Sequence, residues 1–147
     1  FRVYPQTEHV VLFSNNSLAI QPTEELVKLG RSIRNDELFH PRGTNVNFVS
    51  KQQANHIQLE TYERGVEHFT LACGTGAIAS AMALHMKKGG KVGSNLYHVT
   101  VQGGLLEVSF DCSDTDTLTQ SEHGKLFKKV LLKGPTRIVF NGIWAGN

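Results

Sequence analysis

The sequence predicts an α+β fold in which a curved, mostly antiparallel β-sheet or barrel wraps around a central buried α-helix. Three observations predict it. About seven segments carry the alternating or β-rich patterns of strands, against two helical segments. One of these helices is small or apolar on nearly all its faces, which indicates that other elements enclose it. Two adjacent glycines join two of the strands as an antiparallel hairpin.

The composition limits the size and the functional class. A chain of 147 residues has room for a single domain, residues 1–147. Lys plus Arg number 15 and Asp plus Glu 13, and no block of like charge indicates a nucleic-acid or membrane partner. No apolar run reaches the ~18 residues that a membrane span needs. With only two cysteines we expect a cytoplasmic protein, and because the chain begins at Phe1 we expect it to be part of a longer one.

In the first half of the chain, side-chain patterns predict three strands and one helix. The strands cover residues 9–14, 45–50 and 56–63, which are β-rich or alternate polar with apolar side chains. Thr23 is a suitable N-cap for a helix that runs to about Asn35, and two acids follow it in the first turn.

The enclosed helix is predicted over residues 74–88. Alanine, leucine and methionine favour the helix, and two lysines followed by two glycines favour its end. The hairpin turn that follows is Gln102-Gly103-Gly104. The other predicted elements are strands over residues 97–101, 105–110, 127–133 and 136–140, and a polar loop over residues 111–124.

The segment that carries chemistry places Cys73 directly before Gly74-Thr75-Gly76, at the start of the enclosed helix. The first N–H groups of a helix lack partners and carry about half a positive charge, which favours a thiolate. We therefore expect the Cys73 pKa to fall from ~8.5 toward neutrality. The same N–H groups suit a bound carboxylate. The alternative is that Cys73 is a buried small side chain and the glycines only turn the chain.

Glu63 and Arg64 add a carboxylate and a planar cation shortly before Cys73. An arginine suits a substrate carboxylate and a glutamate suits an ammonium group. Such a pair alone is more often a salt bridge. Together with Cys73, it predicts a pocket for a zwitterionic amino acid beside a reactive thiol.

Four ordered motifs carry a resemblance to a known family. Glu-Arg-Gly-Val and Thr-Leu-Ala-Cys-Gly-Thr-Gly-Ala, within residues 63–77, resemble the second active-site motif of diaminopimelate epimerase. Residues 39–49 resemble its strand motif around Gly-Thr-Asn-Val-Asn-Phe, residues 102–108 its Gly-Gly hairpin, and residues 134–142 its closing Gly-Pro strand. The resemblance spans essentially the whole chain but only the C-terminal half of that enzyme, so we expect the N-terminal domain to be absent.

The resemblance implies a cofactor-independent isomerase with a diaminopimelate epimerase-like domain. Such an enzyme interconverts LL- and meso-diaminopimelate, a lysine and peptidoglycan precursor, in the cytoplasm. One cysteine removes the α-proton as thiolate, and a second returns a proton from the opposite face as thiol. This chain matches only the half with the second cysteine, so we expect it to be inactive alone. The implied partners are the amino-acid substrate and the missing domain, and a homodimer stays open.

The resemblance also implies site residues. As catalytic groups it implies Cys73, which matches the second-domain cysteine, together with His9 and Glu63. The implied substrate-binding residues are Asn45, Glu63, Arg64, Gly74, Thr75 and Thr7. Thr7 stands where the family has a substrate-binding asparagine, and His68-Phe69 also departs from the family pattern.

Two other functional hypotheses stay open at this point. The departures at Thr7 and His68-Phe69 leave room for a racemase or isomerase of another amino acid with the same fold. A non-catalytic amino-acid-binding or interaction domain would keep the fold with an unreactive Cys73. Cys112 has no glycine loop or helix after it and is expected to be an ordinary residue. The histidines and cysteines lack metal-ligand spacing, so no metal site is predicted.

Overall fold

The computed structural model describes residues 1–14, 22–115 and 125–144, and its strands in these ranges form one eight-stranded sheet. The strands are β1 (Arg2–Val3), β2 (His9–Ser14), β3 (Asn45–Gln53), β4 (His56–Glu63), β5 (His68–Phe69), β6 (Gly93–Val101), β7 (Gly104–Asp114) and β8 (Lys125–Lys133). The helices are α1 (Glu24–Arg34) and α2 (Gly74–Lys87), with a 3-10 turn at Glu37–Phe39. The described part contains no helix that is both long and apolar enough to cross a membrane.

The sheet is curled and mostly antiparallel. Its order is β1-β2-β3-β4-β6-β7-β8, and β5 pairs with β4 outside this path. Two neighbouring pairs are parallel, β2 with β3 and β4 with β6. Parallel neighbours require a crossover, and α1 and α2 lie in the two connections concerned. The predicted fold class, a curved sheet around a central helix, is confirmed as a half-barrel.

Helix α2 is the centre of the half-barrel. Nine of its residues are buried, and most of these are alanine, glycine or serine, so the strands approach its backbone closely. The core around them consists of aliphatic and aromatic side chains of the sheet, among them Ile57, Leu59, Val99, Val108 and Phe110. The enclosed helix predicted over residues 74–88 is therefore confirmed.

Helix α1 covers the outer face of the sheet. Thr23 is its N-cap, and the Thr23 hydroxyl oxygen accepts the Leu26 N–H at 3.2 Å, as predicted. Gly30 lies directly against the ring of Tyr62, where a Cβ would be only 2.8 Å from Cγ. This contact closes a second apolar cluster that contains Val46, Phe48 and Tyr62. The outer face of β3 and β4 is thereby buried, and their opposite face is directed at α2.

Two predictions near the C-terminus are wrong. Strand β7 continues to Asp114, so the loop predicted over residues 111–124 begins too early; its residues 116–124 lie outside the described part. Cys112 remains inward, opposite Gly93 and Phe127, because antiparallel partners on both sides extend the strand. No strand forms over residues 136–140 within the described part, where Ile138 and Phe140 are 80% and 82% exposed. Residues with a high strand propensity do not form a strand unless a neighbouring strand is available to pair with them.

Candidate active site at the start of the central helix

Cys73 is the N-cap residue of α2 and lies where the sequence predicts. Its backbone is extended, and its carbonyl oxygen accepts the Ala77 N–H at 2.9 Å. Its side chain makes no capping hydrogen bond. The N–H groups of Gly74, Thr75 and Gly76 form the first turn, which has no intrahelical acceptors for them. A thiol and three backbone donors therefore share one end of the helix.

The protonation state of Cys73 differs from the sequence-based expectation. Burial raises the pKa of its thiol, because the residue is only 8% exposed, and the nearby Glu63 carboxylate raises it further. The Thr75 hydroxyl and the N–H groups of Gly76 and Thr75 lower it, but by less than burial raises it. The prediction of a pKa near neutrality is thus wrong for this chain, and the thiol is the favoured form.

His9 lies beside this helix end, on β2, and is fully buried. Its Nε2 is 2.9 Å from Thr7 Oγ1 and 3.0 Å from Thr75 Oγ1, and Thr75 Oγ1 is in turn 3.7 Å from Cys73 Sγ. Burial lowers the His9 pKa to about 4; the Asn47 hydrogen bond opposes this shift and the Arg64 charge adds to it. His9 is therefore neutral near pH 7, and Thr75 connects it to Cys73.

Asn47 and Thr61 complete the group around His9, and neither is among the site residues predicted from the sequence. Asn47 Nδ2 lies 3.0 Å from His9 Nδ1, and Thr61 Oγ1 lies 2.9 Å from Asn47 Oδ1. Both are buried on the face of β3 and β4 that is directed at α2. A Cβ at Gly76 would lie 2.6 Å from Asn47 Oδ1, so this glycine allows the helix to pack on them. The alternation with Val46 and Phe48 places Asn47 on the opposite face of β3, but it gives no signal that this face is buried as well.

Asn45 links the strand that carries His9 to the turn after β4. Its Nδ2 donates to the Glu8 carbonyl oxygen at 3.1 Å, and its Oδ1 accepts the Arg64 N–H at 2.9 Å. Asn45 is also the β3 partner of His9 in the parallel register. Its amide therefore fixes Arg64 relative to His9.

Glu63 and Arg64 are held by different groups. Glu63 Oε2 accepts the Thr70 hydroxyl at 2.9 Å, and Arg64 Nη1 donates to the Gly43 carbonyl oxygen at 3.2 Å. No ion pair joins them in the part of the chain that the structure describes. The structural alternative of a simple Glu63–Arg64 salt bridge is therefore wrong, and both charges stay near the helix end.

A cleft of about 280 Å³ opens beside Thr75. It is lined by Pro5, Gln6, Thr75, Ile78, Met82 and Val130. These residues come from the segment before His9, from the partly uncovered side of α2, and from β8. The candidate site is thus an open groove along the helix, with polar groups at one end and apolar groups along it.

A family model described as diaminopimelate epimerase matches residues 1–127. The chain belongs to the diaminopimelate epimerase family. A diaminopimelate epimerase from Flavobacterium psychrophilum is 40% identical over 132 residues, which cover 90% of this chain and 45% of the relative. One from Aquifex aeolicus is 42% identical over 117 residues, 80% of this chain and 37% of the relative. The chain thus spans less than half the length of the relatives that it matches.

Solved structures share the fold of this chain. A protein from Pseudomonas aeruginosa, titled a predicted epimerase, superposes with a TM-score of 0.53 at 13% identity, over 73% of this chain and 34% of that one. A phenazine biosynthesis protein of the PhzF family from Enterococcus faecalis gives 0.52 at 17% identity, over 75% and 38%. At these identities the likeness concerns the fold alone.

Most of the site residues that the family resemblance implies lie close together. Thr7, His9, Thr75 and Cys73 form one hydrogen-bonded series at the start of α2. Asn45, Arg64 and Gly74 adjoin it through the backbone and amide contacts described above, and the Glu63 charge acts on the Cys73 thiol. Cys112 lies elsewhere, on β7 between Gly93 and Phe127.

Proposed function

We propose that this chain supplies one half of the active site of an epimerase that inverts the α-carbon of diaminopimelate. The observation that carries the proposal is the Cys73 thiol at the start of a buried helix, beside the backbone N–H groups of the first turn and the Thr75 hydroxyl. The proposal assigns this thiol to one face of the substrate carbon. We assign the enzyme to the cytoplasmic synthesis of a lysine and peptidoglycan precursor.

The reaction needs an acid and a base on opposite faces of one carbon. An opposing thiolate takes the α-proton, so that the C–H bond breaks and its electron pair spreads onto the carboxylate. Cys73 then gives its S–H proton to the other face of the carbon and becomes the thiolate. The opposite epimer reacts by the same steps in reverse. The raised pKa of Cys73 supports the donor role, because its proton is present before the substrate reacts.

Charge on the substrate carboxylate is the main demand of this reaction. The N–H groups of Gly74 and Thr75 suit that carboxylate, because they lie in the first turn at the positive end of α2, where the helix offers them no acceptor. We assign the reacting amino-acid end of the substrate to Glu63 and Arg64, and further polar contacts to Asn45 and Thr7. His9 acts on the Cys73 thiol through Thr75, because its Nε2 is in hydrogen-bond contact with the Thr75 hydroxyl.

The opposing thiol requires a second structural unit in this proposal. The chain spans 45% and 37% of its relatives, so those proteins have room for another unit of similar size. The groove along α2 is open beside Thr75, where such a unit would close the site. The 147-residue chain alone is therefore expected to be inactive.

The test is deuterium incorporation at the α-carbon of LL-diaminopimelate in D₂O. The 147-residue chain alone is expected to incorporate none, and the complete protein is expected to do so with formation of the meso form. In the complete protein, Cys73→Ala abolishes exchange, whereas Cys112→Ala, a matched change of the other buried cysteine, retains it. Exchange by the chain alone at the rate of the complete protein would contradict the two-thiol scheme.

A non-catalytic amino-acid-binding domain is the second candidate. It is favoured by the low exposure of Cys73 and its raised pKa, because both reduce the reactivity of a thiol. The discriminating experiment is isothermal calorimetry of diaminopimelate binding to the complete protein, combined with the exchange assay. Binding without any deuterium exchange would favour this candidate, and exchange that needs Cys73 would exclude it.

A further inference from the structure

The hydrogen bonds of Asn47 fix the orientation of its amide. Nδ2 lies 2.9 Å from the carbonyl oxygen of Val10, which can only accept a hydrogen bond. The atom facing Val10 is therefore the nitrogen. Thr61 Oγ1 lies 2.9 Å from Oδ1 and must donate its hydroxyl hydrogen to that oxygen. Both ends of the amide are thereby determined by chemistry.

The orientation of this amide determines the tautomer of His9. The second hydrogen on Asn47 Nδ2 is directed at His9 Nδ1, 3.0 Å away, which must accept it. His9 is fully buried, and its pKa of about 4 leaves the ring neutral near pH 7, with a single proton. Since Nδ1 is an acceptor, that proton is on Nε2.

A proton on Nε2 restricts the two threonines that face it. Thr7 Oγ1 and Thr75 Oγ1 lie 2.9 Å and 3.0 Å from this nitrogen. A protonated ring nitrogen has no lone pair to accept a hydrogen bond, so both hydroxyl hydrogens point elsewhere. The other described polar partner of the Thr75 hydroxyl is Cys73 Sγ, at 3.7 Å.

We infer that Asn47 and Thr61 are positioning residues that hold His9 in the Nε2–H tautomer and thereby commit the Thr75 hydroxyl to donate to the sulfur of Cys73. The catalytic meaning of this inference rests on the proposed epimerase function, but the geometry does not. A hydroxyl that donates to sulfur stabilises the thiolate over the thiol. The hydrogen bond from the Thr75 hydroxyl therefore stabilises the thiolate that remains after Cys73 has given its proton to the substrate. It requires no proton transfer through His9.

Gly76 allows the first turn of α2 to pack directly against Asn47 and Thr61. A Cβ at this position would lie 2.6 Å from Asn47 Oδ1 and 3.0 Å from Thr61 Oγ1. The first turn of α2 thus rests directly on the Asn47–Thr61 pair. In the Gly74-Thr75-Gly76 segment, Thr75 supplies the hydroxyl, and Gly76 allows the pair that orients it to approach.

The tautomer is tested by long-range ¹H–¹⁵N correlation spectra of the ¹⁵N-labelled 147-residue chain near pH 7. The His9 signals are identified by their loss in His9→Gln. We expect a protonated Nε2 and an unprotonated Nδ1, and a proton on Nδ1 or an equal mixture of tautomers overturns the inference. In Asn47→Leu, which lacks the donor, the preference for one tautomer is expected to disappear. The wild-type spectrum decides the question even if this buried substitution prevents folding.

The effect on Cys73 is tested by its rate of alkylation with iodoacetamide, followed by mass spectrometry against Cys112 in the same molecule. Thr75→Val removes the hydroxyl with little change of shape and is expected to slow alkylation about threefold to tenfold near pH 7. Thr75→Ser is expected to restore the rate. Thr100→Val is the matched control, since Thr100 Oγ1 lies 2.7 Å from His56 Nε2 in a separate threonine–histidine pair.

An unchanged rate in Thr75→Val, or an equal slowing in Thr100→Val, overturns the inference. Both measurements use the chain without substrate. A negative result in either measurement would therefore not contradict the proposed epimerase function. Conversely, absence of epimerase activity in the complete protein would not affect the measurement of the His9 tautomer or of the alkylation rates.

Discussion

Gly103 donates its backbone N–H to the carbonyl oxygen of Leu71 over 2.7 Å, and this bond fastens the β6–β7 turn to the segment that leads into Cys73. A Cβ at position 103 would lie 3.0 Å from the same oxygen, which is closer than side chains normally approach. The neighbouring Gln102 donates from Nε2 to Glu60 Oε2 at 3.0 Å. The Gly-Gly turn therefore reverses the chain and also supports the start of α2.

Gly103→Ala is expected to weaken this support. The added Cβ displaces the Leu71 carbonyl and costs about 1 kcal/mol of unfolding free energy, the usual worth of one hydrogen bond. Urea denaturation measures this loss, and alkylation of Cys73 reports whether the helix start has moved. Gly142→Ala is the control, because nothing lies within 4 Å of the position of its Cβ. Equal stability of Gly103→Ala and the wild type would show that the close approach is not needed.

The elements that the sequence predicts best are those with local signals. Helix α2 has one, because small and apolar residues run from Gly74 to Leu84 and two lysines and two glycines mark its end. The pKa of the Cys73 thiol has a local cause, the helix terminus, and a non-local cause, burial. The sequence shows only the helix terminus. Burial by the surrounding structure outweighs the effect of the helix terminus, and the Glu63 carboxylate raises the pKa further.

The site residues that sequence analysis misses are those whose role depends on partners far along the chain. Asn47 is polar at a core-facing position, but its meaning depends on His9, 38 residues away, and on Thr61, 14 residues away. The alternation along β3 places Asn47 on the face opposite Val46 and Phe48. It does not show that this face is also buried, or which groups Asn47 meets there. The prediction of a strand over residues 136–140 is wrong for the same reason. A strand needs a neighbouring strand, and the residues of the segment do not show whether one is present.

Trp144 is expected to behave as a tryptophan in water, since it is 92% exposed and is the sole tryptophan of the chain. Its fluorescence should be quenched by iodide as strongly as that of a free indole, and urea should change its emission little. Emission at short wavelength would show that the apolar segment around Phe140 and Trp144 is covered. Dependence of that emission on protein concentration would identify a second copy of the chain as the cover, in a homodimer.

Glu60 is expected to destabilise the fold at neutral and higher pH. Burial raises the pKa of this carboxyl, which is 2% exposed, although the Gln102 and Gln58 hydrogen bonds oppose the shift. A raised pKa means that the folded state binds the proton more tightly, so this contribution to stability is present below the unfolded pKa and is lost as the pH rises through the folded pKa. Glu60→Gln should therefore be more stable than the wild type at pH ~8 and no more stable at pH ~4.

The control for this prediction is Glu107→Gln. Glu107 is a partly exposed carboxylate on the same sheet, whose Oε2 lies 3.0 Å from Lys133 Nζ. Its loss should be neutral or slightly destabilising at both pH values, as is usual for surface ion pairs. Urea denaturation at the two pH values measures both variants. If Glu60→Gln is less stable than the wild type at pH ~8, the carboxylate contributes more through its hydrogen bonds than its burial costs.

His9 is expected to make the fold sensitive to acid. Its folded pKa of about 4 lies below the ordinary value of 6.5, so the unfolded chain binds a proton between these values and the folded chain does not. The contribution of His9 is therefore complete above the unfolded pKa and is lost as the pH falls toward 4. The shift corresponds to about 3 kcal/mol.

His9→Gln, which cannot be protonated, should lose less unfolding free energy between pH ~7 and ~4 than the wild type. The control is His68→Gln, at an exposed position, which should follow the wild type. Parallel pH profiles of His9→Gln and the wild type in urea denaturation would mean that His9 takes up its proton in the folded state as readily as in the unfolded chain, and that the hydrogen bonds to Asn47, Thr7 and Thr75 do not require a neutral ring.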